Sequence, residues 1–344
     1  MADQLTNNTS ELSARARELH QLAIICDMTL PWRDYGDPDK RAATLPRMAA
    51  SGVGFVSLTL AADWNGVSET VHKIAKERAF FRAQTDRYVL AESVEDIRRA
   101  KREGKLAVNF HFQGTNPVDY DVDLVEVYYR LGVRHMLMAY NSRNAVGDGC
   151  NESTDGGLSR FGESLVKKMN EVGMLIDGTH TGYRTTMDLF EVSTAPVVFT
   201  HANPAKLWSH RRNIRDEQIE ACARSGGVIG IDGVGIFLGD NDVSEDQVVR
   251  HIDYVADLVG AKHVGLGLDY VYDQEALTRG HNSRPAWNPT DEAFGNTPRE
   301  EVKYFEPEQL PALTEALLSR GYSDTDVHGI LGENWLRVAA AVWK

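Results

Sequence analysis

The sequence predicts an α/β protein built as a (β/α)8 TIM barrel. Eight short apolar segments rich in Val, Ile, Leu and Gly recur along the 344 residues and alternate with amphipathic helical patterns. Continuous apolar runs of this length are typical of strands that are buried on both faces of a parallel sheet. An open doubly wound sheet is the alternative, but no glycine-rich phosphate-binding turn follows the first segment. Residues 1–344 are therefore predicted to form one barrel domain.

The predicted strands and helices follow one another without a low-complexity segment or a sequence repeat. Several helical patterns end at a glycine, where a left-handed residue commonly stops a helix. A long irregular stretch, 270–307, follows the last strand and is interpreted as a lid over the site, with a solvated insertion as the alternative. Residues 308–344 are predicted to form two closing helices. The predicted strands are 22–28, 53–60, 106–112, 133–139, 173–179, 196–202, 226–232 and 263–269.

Composition excludes several classes of partner. The chain has 37 basic and 50 acidic residues, a net charge of −13, whereas nucleic acids and anionic membranes need a basic face. No apolar run approaches the ~18 residues of a membrane helix, and no signal-peptide pattern opens the chain. The cysteines, Cys26, Cys150 and Cys222, form no CxxC pair, which favours a reducing compartment. A cytoplasmic location is expected, and a homodimer is left open.

Chemistry-bearing side chains are concentrated at the ends of the predicted strands. In a barrel of this kind the catalytic groups come from the carboxyl ends of the strands. A single histidine there is more often a hydrogen-bonded cap, but His180 and His201 follow two consecutive strands. Imidazole and carboxylate groups that converge on one rim indicate a divalent metal site. The strand-end candidates are Asp27, Thr59, His111, Gln113, Tyr140, Asn141, Asp177, His180, His201, Asp232 and Asp269.

Four segments resemble motifs of the membrane (renal) dipeptidase family of zinc metallopeptidases. They are GLSRFGESLVKKMNEVGMLIDGTH (157–180), APVVFTHANPAKLWSHRRNIRDEQIEACARSGGVIGI (195–231), HVGLGLDY (263–270) and GILGENWLRV (329–338). The resemblance runs over roughly residues 20–343. It implies an amidohydrolase-like barrel and a hydrolase that cleaves dipeptides.

Matched position by position, the resemblance also implies roles for single residues. His180 and His201 correspond to the two histidines of the family's second metal site. Arg212 corresponds to the arginine that holds the substrate carboxylate, and Asp269 to the carboxylate that shuttles protons to and from the leaving amine. Asn141, beside Tyr140, is a further candidate for substrate binding.

The rest of the site departs from the family pattern. Asp27 and Thr29 stand where the family has the histidine and aspartate of the first metal site. Gln113 replaces the bridging glutamate, and Tyr140 replaces the histidine that stabilises the tetrahedral intermediate. A neutral amide offers one good acceptor oxygen and no charge, so a reduced site is expected, with one zinc ion per chain. Its ligands would be His180 and His201, with Gln113, Asp27 or Asp269 completing a shell of three protein ligands and a water.

These residues leave three functions open. The first is a metal-dependent hydrolase of an amide bond in a small, carboxylate-bearing substrate, with Arg212 binding the carboxylate, Asp269 moving protons and Tyr140 steadying the oxyanion. The second is a non-catalytic relative that binds a small ligand. The third is a metal-free lyase or isomerase that uses Asp27, Asp269 and Tyr140 as acid and base.

Overall fold

All eight predicted strands are present and parallel in the computed structural model, which describes residues 12–32, 36–282 and 297–344. One sheet has the order β1-β2-β4-β5-β6-β7, with β3 on the edge of β4, and β8 pairs with β9. The strands are β1 Ile25–Pro31, β2 Val53–Ala62, β3 Tyr88–Leu90, β4 Leu106–Gln113, β5 Val133–Leu137, β6 Leu175–Asp177, β7 Val197–Val198, β8 Ile229–Asp232 and β9 Val264–Gly267.

Two contacts continue the strand order into a barrel. An isolated parallel bridge between Phe199 and Ile229 joins the end of β7 to β8. The Leu268 amide, just after β9, donates to Asp27 Oδ1 on β1 at 2.9 Å. The predicted barrel is confirmed, and the residues that follow each strand meet at one rim.

The helices lie between consecutive strands, as the sequence pattern predicts. Serine or aspartate side chains cap several of them, for example Ser159 and Ser244, which accept from the amides of Gly162 and Gln247. The described α-helices are Ala14–Leu22, Pro38–Ala50, Val67–Arg82, Val94–Arg102, Leu124–Arg130, Arg160–Val172, Tyr183–Val192, Asp216–Arg224, Gly235–Leu238, Glu245–Val259, Gln274–Asn282, Leu310–Ser319, Asp324–His328 and Asn334–Val342. No helix in the described ranges is long and apolar enough to cross a membrane.

Some predicted boundaries are wrong. Leu22 ends a helix and is 61% exposed, and the first strand runs three residues beyond its predicted end, so that it includes Thr29. The β3 strand was not predicted, because three residues carry too little periodicity. The stretch 270–307 contains the helix Gln274–Asn282, and the lid prediction also falls on residues 283–296, which lie outside the described residues.

The C-terminal segment closes the bottom of the barrel. It forms three helices rather than the two predicted, with a wide turn at Gly329–Glu333 between the second and third. Trp335 Nε1 donates to the Leu266 carbonyl at 3.1 Å. A Cβ on Gly265 would collide with the Trp335 ring. Glycine is therefore needed on β9 for the indole to pack against the strand.

Candidate active site

The two histidines that follow β6 and β7 face each other on the rim. Their Nε2 atoms lie 3.1 Å apart, and His180 and His201 are 7% and 0% exposed. Two imidazoles bound to one tetrahedral zinc, each at about 2.0–2.1 Å, would hold their nitrogens ~3.3 Å apart. The structure brings these two side chains together, with their Nε2 atoms directed at one point.

Hydrogen bonds on the far side of each ring fix where its proton lies. Asn141 Oδ1 lies 2.6 Å from His180 Nδ1 and also accepts from the Cys150 thiol. An amide oxygen can only accept, so His180 Nδ1 carries the proton and its Nε2 keeps a lone pair. On the other ring, His201 Nδ1 lies 2.9 Å from the hydroxyls of Thr29 and Thr200.

Asp177 decides the proton position on His201. The Thr200 hydroxyl donates to Asp177 Oδ2, so the same hydroxyl oxygen accepts from His201 Nδ1. His201 Nε2 then also has a free lone pair. Two lone pairs that point at each other are the arrangement of two ligands to one cation. Asn141 and Thr200, which bond the far side of each ring, are partners of the kind that orient metal-bound histidines. Burial beside Arg212 lowers the pKa of His201 well below its usual value, which keeps the ring neutral.

Three site residues have left-handed backbone conformations. Asn141, His180 and Asp269 have φ values of 63°, 65° and 49°. Such values are uncommon for residues other than glycine, and they occur at sites where the surrounding structure holds a side chain in one direction. Each of these residues directly follows or lies close to the end of a strand, and the turn directs its side chain toward the rim.

Tyr140 covers the face of His180. The two rings stack with their centroids 4.2 Å apart, and Trp64 meets the Tyr140 ring edge-on at 5.1 Å. The backbone amide of Tyr140 donates to Asp63 Oδ2 at 2.8 Å. Tyr140 is therefore fixed beside the histidine pair, and its role toward an oxyanion stays a prediction.

Asp63 joins the loops that follow three strands. Its buried carboxylate accepts from the amides of Thr115, Asn116 and Tyr140 and from the side chain of Asn144. Burial raises the pKa of Asp63 to about 6, although these hydrogen bonds lower it. The positions of these loops depend on Asp63. It was not predicted as a site residue, because the predicted strand ended at residue 60, whereas β2 continues to Ala62.

Three carboxyl groups gather on the opposite side of the rim. Burial, with a smaller contribution from the charge of Asp269, raises the pKa of Asp27 to about 7, although hydrogen bonds from the Leu268 and Thr29 amides lower it. The pKa of Asp232 is also well above its usual value, because of burial and the charges of Asp269 and Asp27, which outweigh Arg212. Like charges this close cannot all be present, so this side of the site holds protons at neutral pH.

Arg212 lies between the carboxyl groups and the histidines. Its Nη2 donates to the His201 carbonyl at 3.0 Å and to Asp232 Oδ2 at 3.4 Å. The guanidinium lies over the Phe237 ring, 5.1 Å from its centroid. Its Nε is buried and has no hydrogen-bond partner among the described residues. A buried N–H donor of this kind is available to an anionic ligand.

Comparison with known proteins decides the family. The family described as Membrane dipeptidase (Peptidase family M19) matches residues 13–280. The chain belongs to the membrane dipeptidase family. Dipeptidases of this family are metallohydrolases, and the resemblance seen in the sequence motifs is confirmed.

Single relatives support the same assignment. Dipeptidase verJ of Clonostachys rogersoniana is 30% identical over 283 residues, which cover 82% of this chain and 67% of that protein. An amidohydrolase from Pseudomonas aeruginosa is 30% identical, with a TM-score of 0.85 over 95% of this chain and 99% of that one. A metallo peptidase from Rhodobacter sphaeroides, 18% identical, has the same fold, with a TM-score of 0.74 over 93% of this chain and 100% of that one.

In the half of the site that departs from the dipeptidase motifs, Asp27 and Thr29 form hydrogen bonds within the protein. Asp27 Oδ1 accepts from the amides of Thr29 and Leu268, and the Thr29 hydroxyl is bonded to His201 and Thr200. Gln113 is the last residue of β4 and is 2% exposed. Within the described ranges, no three His, Cys, Asp or Glu side chains converge as a group that could hold a metal ion. The histidine pair fits part of one metal shell, and Asp27 and Gln113 as further ligands remain predictions.

The remaining strand-end candidates lie inside the barrel. His111 is bonded through both ring nitrogens to Ser57 and Thr59, at 2.9 and 2.8 Å. Its ring stacks on His135, whose centroid is 4.2 Å away. Burial lowers the pKa of both rings. Both are neutral interior residues.

Proposed function

We propose that this dipeptidase-family protein hydrolyses the amide bond of a small substrate that carries a carboxylate, and that it uses one divalent cation held by His180 and His201. The observation that supports the proposal is the pair of Nε2 lone pairs 3.1 Å apart, with Arg212 bound to the carbonyl of one of the two residues. A cation and a carboxylate binder side by side suit a molecule whose scissile carbonyl lies close to its own carboxylate. Dipeptides are the first class to test.

The chain's own residues would bind and orient this substrate. The unpartnered Nε–H of Arg212 donates to the substrate carboxylate, while its Nη2 stays on the His201 carbonyl and keeps the guanidinium in place. Charge-assisted bonds to arginine are directional and strong when buried. The carboxylate end of the substrate is thereby set on the side of β8, and its amide lies over the histidine pair.

A bound zinc ion would polarise the amide carbonyl and lower the pKa of a bound water toward ~7. The Asp269 carboxylate would take the proton that the attacking water loses and deliver it to the leaving amine, so that water adds across the C–N bond to give a carboxylate and an ammonium. The charge of Asp269 raises the pKa values of both Asp27 and Asp232, which supports a position for its carboxylate within the same group on the rim. Tyr140, stacked on His180, borders the position where the carbonyl oxygen becomes negative.

The test uses purified protein that has been freed of metal with a chelator and reloaded with measured amounts of zinc. Release of free amine from a panel of dipeptides is expected to rise with zinc up to about one ion per chain. His72→Ala, at an exposed residue bonded to the Ser68 carbonyl, is the control that leaves activity unchanged. No amine release from any dipeptide at saturating zinc would exclude the proposed hydrolysis.

A metal-free acid–base reaction is the second candidate. It is favoured by one observation, the buried Oδ2 of Asp27, which has no hydrogen-bond partner in the described part of the chain. With a pKa of about 7, Asp27 could act as either acid or base near neutral pH. Full activity in the presence of chelator would select this lyase or isomerase chemistry over hydrolysis.

A further inference from the structure

The side-chain amide of Asn141 lies between the Cys150 thiol and the His180 ring. Its Oδ1 is 2.6 Å from His180 Nδ1 and 3.4 Å from Cys150 Sγ. We propose that this amide is a two-position switch for the cation site. With Oδ1 toward the ring it prepares His180 to bind a cation, and with Nδ2 toward the ring it joins His180 to His201 instead. The proposal rests on the proposed function for the cation that the two histidines share.

The position of the amide in the structure is the one that binds a cation. Oδ1 accepts from His180 Nδ1 and from the Cys150 thiol. A neutral imidazole carries one N–H, so His180 Nε2 keeps its lone pair, 3.1 Å from Nε2 of His201. In zinc-free protein two lone pairs at this distance repel each other. The zinc-free protein therefore gains free energy if one of these two nitrogens becomes a donor.

His201 is held as an acceptor. Its Nδ1 donates to the Thr200 hydroxyl, which in turn donates to Asp177 Oδ2. The other carboxylate oxygen, Oδ1, accepts from the amides of Thr179 and Thr200. The proton of the His201 ring therefore stays on Nδ1, and its Nε2 keeps a lone pair with or without a cation. The nitrogen that becomes a donor is Nε2 of His180.

Rotation of the Asn141 amide by about 180° makes His180 that donor. The oxygen and nitrogen of an amide are nearly indistinguishable in size, so the rotated group occupies the same space. Nδ2 then donates to His180 Nδ1. The single ring proton lies on Nε2, which donates to His201 Nε2 across the same 3.1 Å. In this position the two rings bond to each other and do not offer two lone pairs to a cation.

Cys150 has hydrogen-bond partners in both positions of the amide. In the first, its thiol donates to Asn141 Oδ1. In the second, Sγ accepts from the other N–H of Nδ2, and the thiol donates to Asn151 Oδ1, which lies 3.8 Å away. A thiol is a weak donor and a weak acceptor, so it pairs with either position without strongly favouring one. Such a partner suits a switch whose two states differ little in free energy.

Only the amide has to move, because the backbone on both sides of it is held. The Cys150 amide donates to the His180 carbonyl at 2.8 Å, and the Asn151 amide donates to the Asn141 carbonyl at 2.9 Å. A Cβ on Gly149 would lie 2.1 Å from the carbonyl carbon of Asn141, so this close approach requires glycine. Zinc binding is thus coupled to an amide rotation and to transfer of the His180 proton from Nε2 to Nδ1, with no net release of a proton.

The tautomer of His180 tests the switch directly. Protein labelled with 15N in its histidines is recorded in two-bond 1H–15N spectra, in which rings protonated at Nδ1 and at Nε2 give different patterns. The His180→Ala variant identifies the His180 signals. We expect Nε2–H in protein freed of zinc by a chelator and Nδ1–H after zinc is added. Nδ1–H in both samples, or a doubly protonated ring in the zinc-free sample, would overturn the switch.

Two substitutions that favour the position seen in the structure should both tighten zinc binding. In Asn141→Asp the side chain only accepts. In Cys150→Val the rotated amide has an unpaired N–H, which costs more than an unpaired second lone pair on Oδ1. A zinc-free population with about nine-tenths of its molecules rotated would reduce the apparent affinity about tenfold. We therefore expect calorimetry to show zinc binding about tenfold tighter in Asn141→Asp and about fivefold tighter in Cys150→Val.

The cysteine variants separate the switch from other effects. Cys150→Val adds no charge, so its effect is independent of the charge that Asn141→Asp brings to the site. Cys150→Ser is the matched control, because its hydroxyl also donates and accepts, and it should bind zinc within about twofold of the parent. A purely structural role of Cys150 predicts weaker binding in Cys150→Val. Weaker or unchanged binding in that variant would contradict the switch.

Amine release from dipeptides is measured separately on the zinc-loaded parent protein. A His180 tautomer that changes with zinc, without hydrolysis of any dipeptide, would support the switch and overturn the proposed function. Hydrolysis with Nδ1–H in both the zinc-free and the zinc-loaded sample would overturn the switch and leave the proposed function standing. Failure of the parent protein to bind zinc at all would overturn both.

Discussion

His180 Nε2 and His201 Nε2 lie 3.1 Å apart, and each ring is fixed from behind by a neutral partner, Asn141 on one side and the hydroxyl of Thr200 on the other. Metal-bound histidines are often oriented by carboxylates or carbonyls, which make the ring a stronger ligand. Here Asp177 acts on His201 only through Thr200. The two rings are thus well oriented but only moderately basic. Their affinity for a cation therefore depends on which further ligands coordinate it.

We expect at most about one zinc ion per chain, because His180 and His201 meet at one point and no group of three His, Cys, Asp or Glu side chains in the described residues could hold a metal ion. His180→Ala or His201→Ala should abolish zinc binding in a calorimetric titration, since one imidazole leaves an incomplete shell. His72→Ala, on an outer helix, is the matched control and should bind as the parent does. Two tightly bound ions in elemental analysis of the parent protein would refute the single-site arrangement.

Gln113→Glu should have the opposite effect and tighten zinc binding, because it adds a charged oxygen ligand at the end of β4. Combined with Asp27→His and Thr29→Asp, it should raise the stoichiometry toward two ions per chain and increase any dipeptidase activity. Titration of the single and triple variants with zinc, followed by amine release from dipeptides, checks both steps. Unchanged affinity in Gln113→Glu would show that this side chain does not reach the ion.

Arg212→Lys should weaken substrate binding while leaving the fold intact. Lysine keeps the charge but loses the planar fork and the Nε–H that we assign to the substrate carboxylate. KM is expected to rise by about tenfold, which corresponds to the loss of one charge-assisted hydrogen bond. Arg211→Lys is the control, because Arg211 is bonded to the Asn151 carbonyl and is largely exposed. A larger effect in the Arg211 variant would reassign the carboxylate binder.

The barrel could be predicted from the sequence because its strands are buried on both faces. Each strand is therefore a continuous apolar segment, which its composition alone identifies. The sequence also indicated that His180 and His201 lie at one rim, since side chains that follow parallel strands meet there, and the family resemblance added Arg212 to the site. The sequence did not predict Asp63, whose importance comes from accepting hydrogen bonds from the amides of two other loops, those after β4 and β5. Contacts between residues 77 positions apart, such as Asp63 with Tyr140, leave no local pattern in a sequence.

The neutral side chains that bond His180 and His201 could not be predicted for the same reason. Thr29 was interpreted as a lost ligand, and the structure shows its hydroxyl bonded to His201, a contact over 172 positions. The stacking of His111 on His135 inside the barrel could not be predicted either. A histidine within an apolar strand gives the same sequence pattern whether its side chain faces a ligand or another ring. The register of β4 against β5 places the two rings together.

Asp63→Ala should destabilise the protein and lower its activity. The substitution leaves the amides of Tyr140, Thr115 and Asn116 without their acceptor, and each buried unpaired amide costs about 1–3 kcal/mol. We expect a loss of about 3 kcal/mol or more in urea unfolding. Asp63→Asn retains one acceptor oxygen and should lose less. Equal stability of the Ala variant and the parent would show that the rim loops do not depend on this carboxylate.

His111→Phe and His135→Phe should differ in stability although the two rings stack on each other. Phenylalanine at 111 removes the partners of the buried hydroxyls of Ser57 and Thr59, at about 1–3 kcal/mol each. The nitrogens of His135 have no partner among the described residues, so phenylalanine at 135 should be within ~1 kcal/mol of the parent or more stable. Urea unfolding at pH 7.5 measures both changes.

The pH dependence gives an independent check on His135. Burial lowers its pKa to about 3, whereas an unfolded histidine has a pKa of ~6.5. Between these values the unfolded state binds one more proton, so this contribution to stability is complete above pH ~6.5 and is lost as the pH falls toward 3. His135→Phe should therefore lose less stability than the parent between pH 7.5 and 5. If both proteins lose the same amount over that range, His135 is not held neutral in the folded barrel.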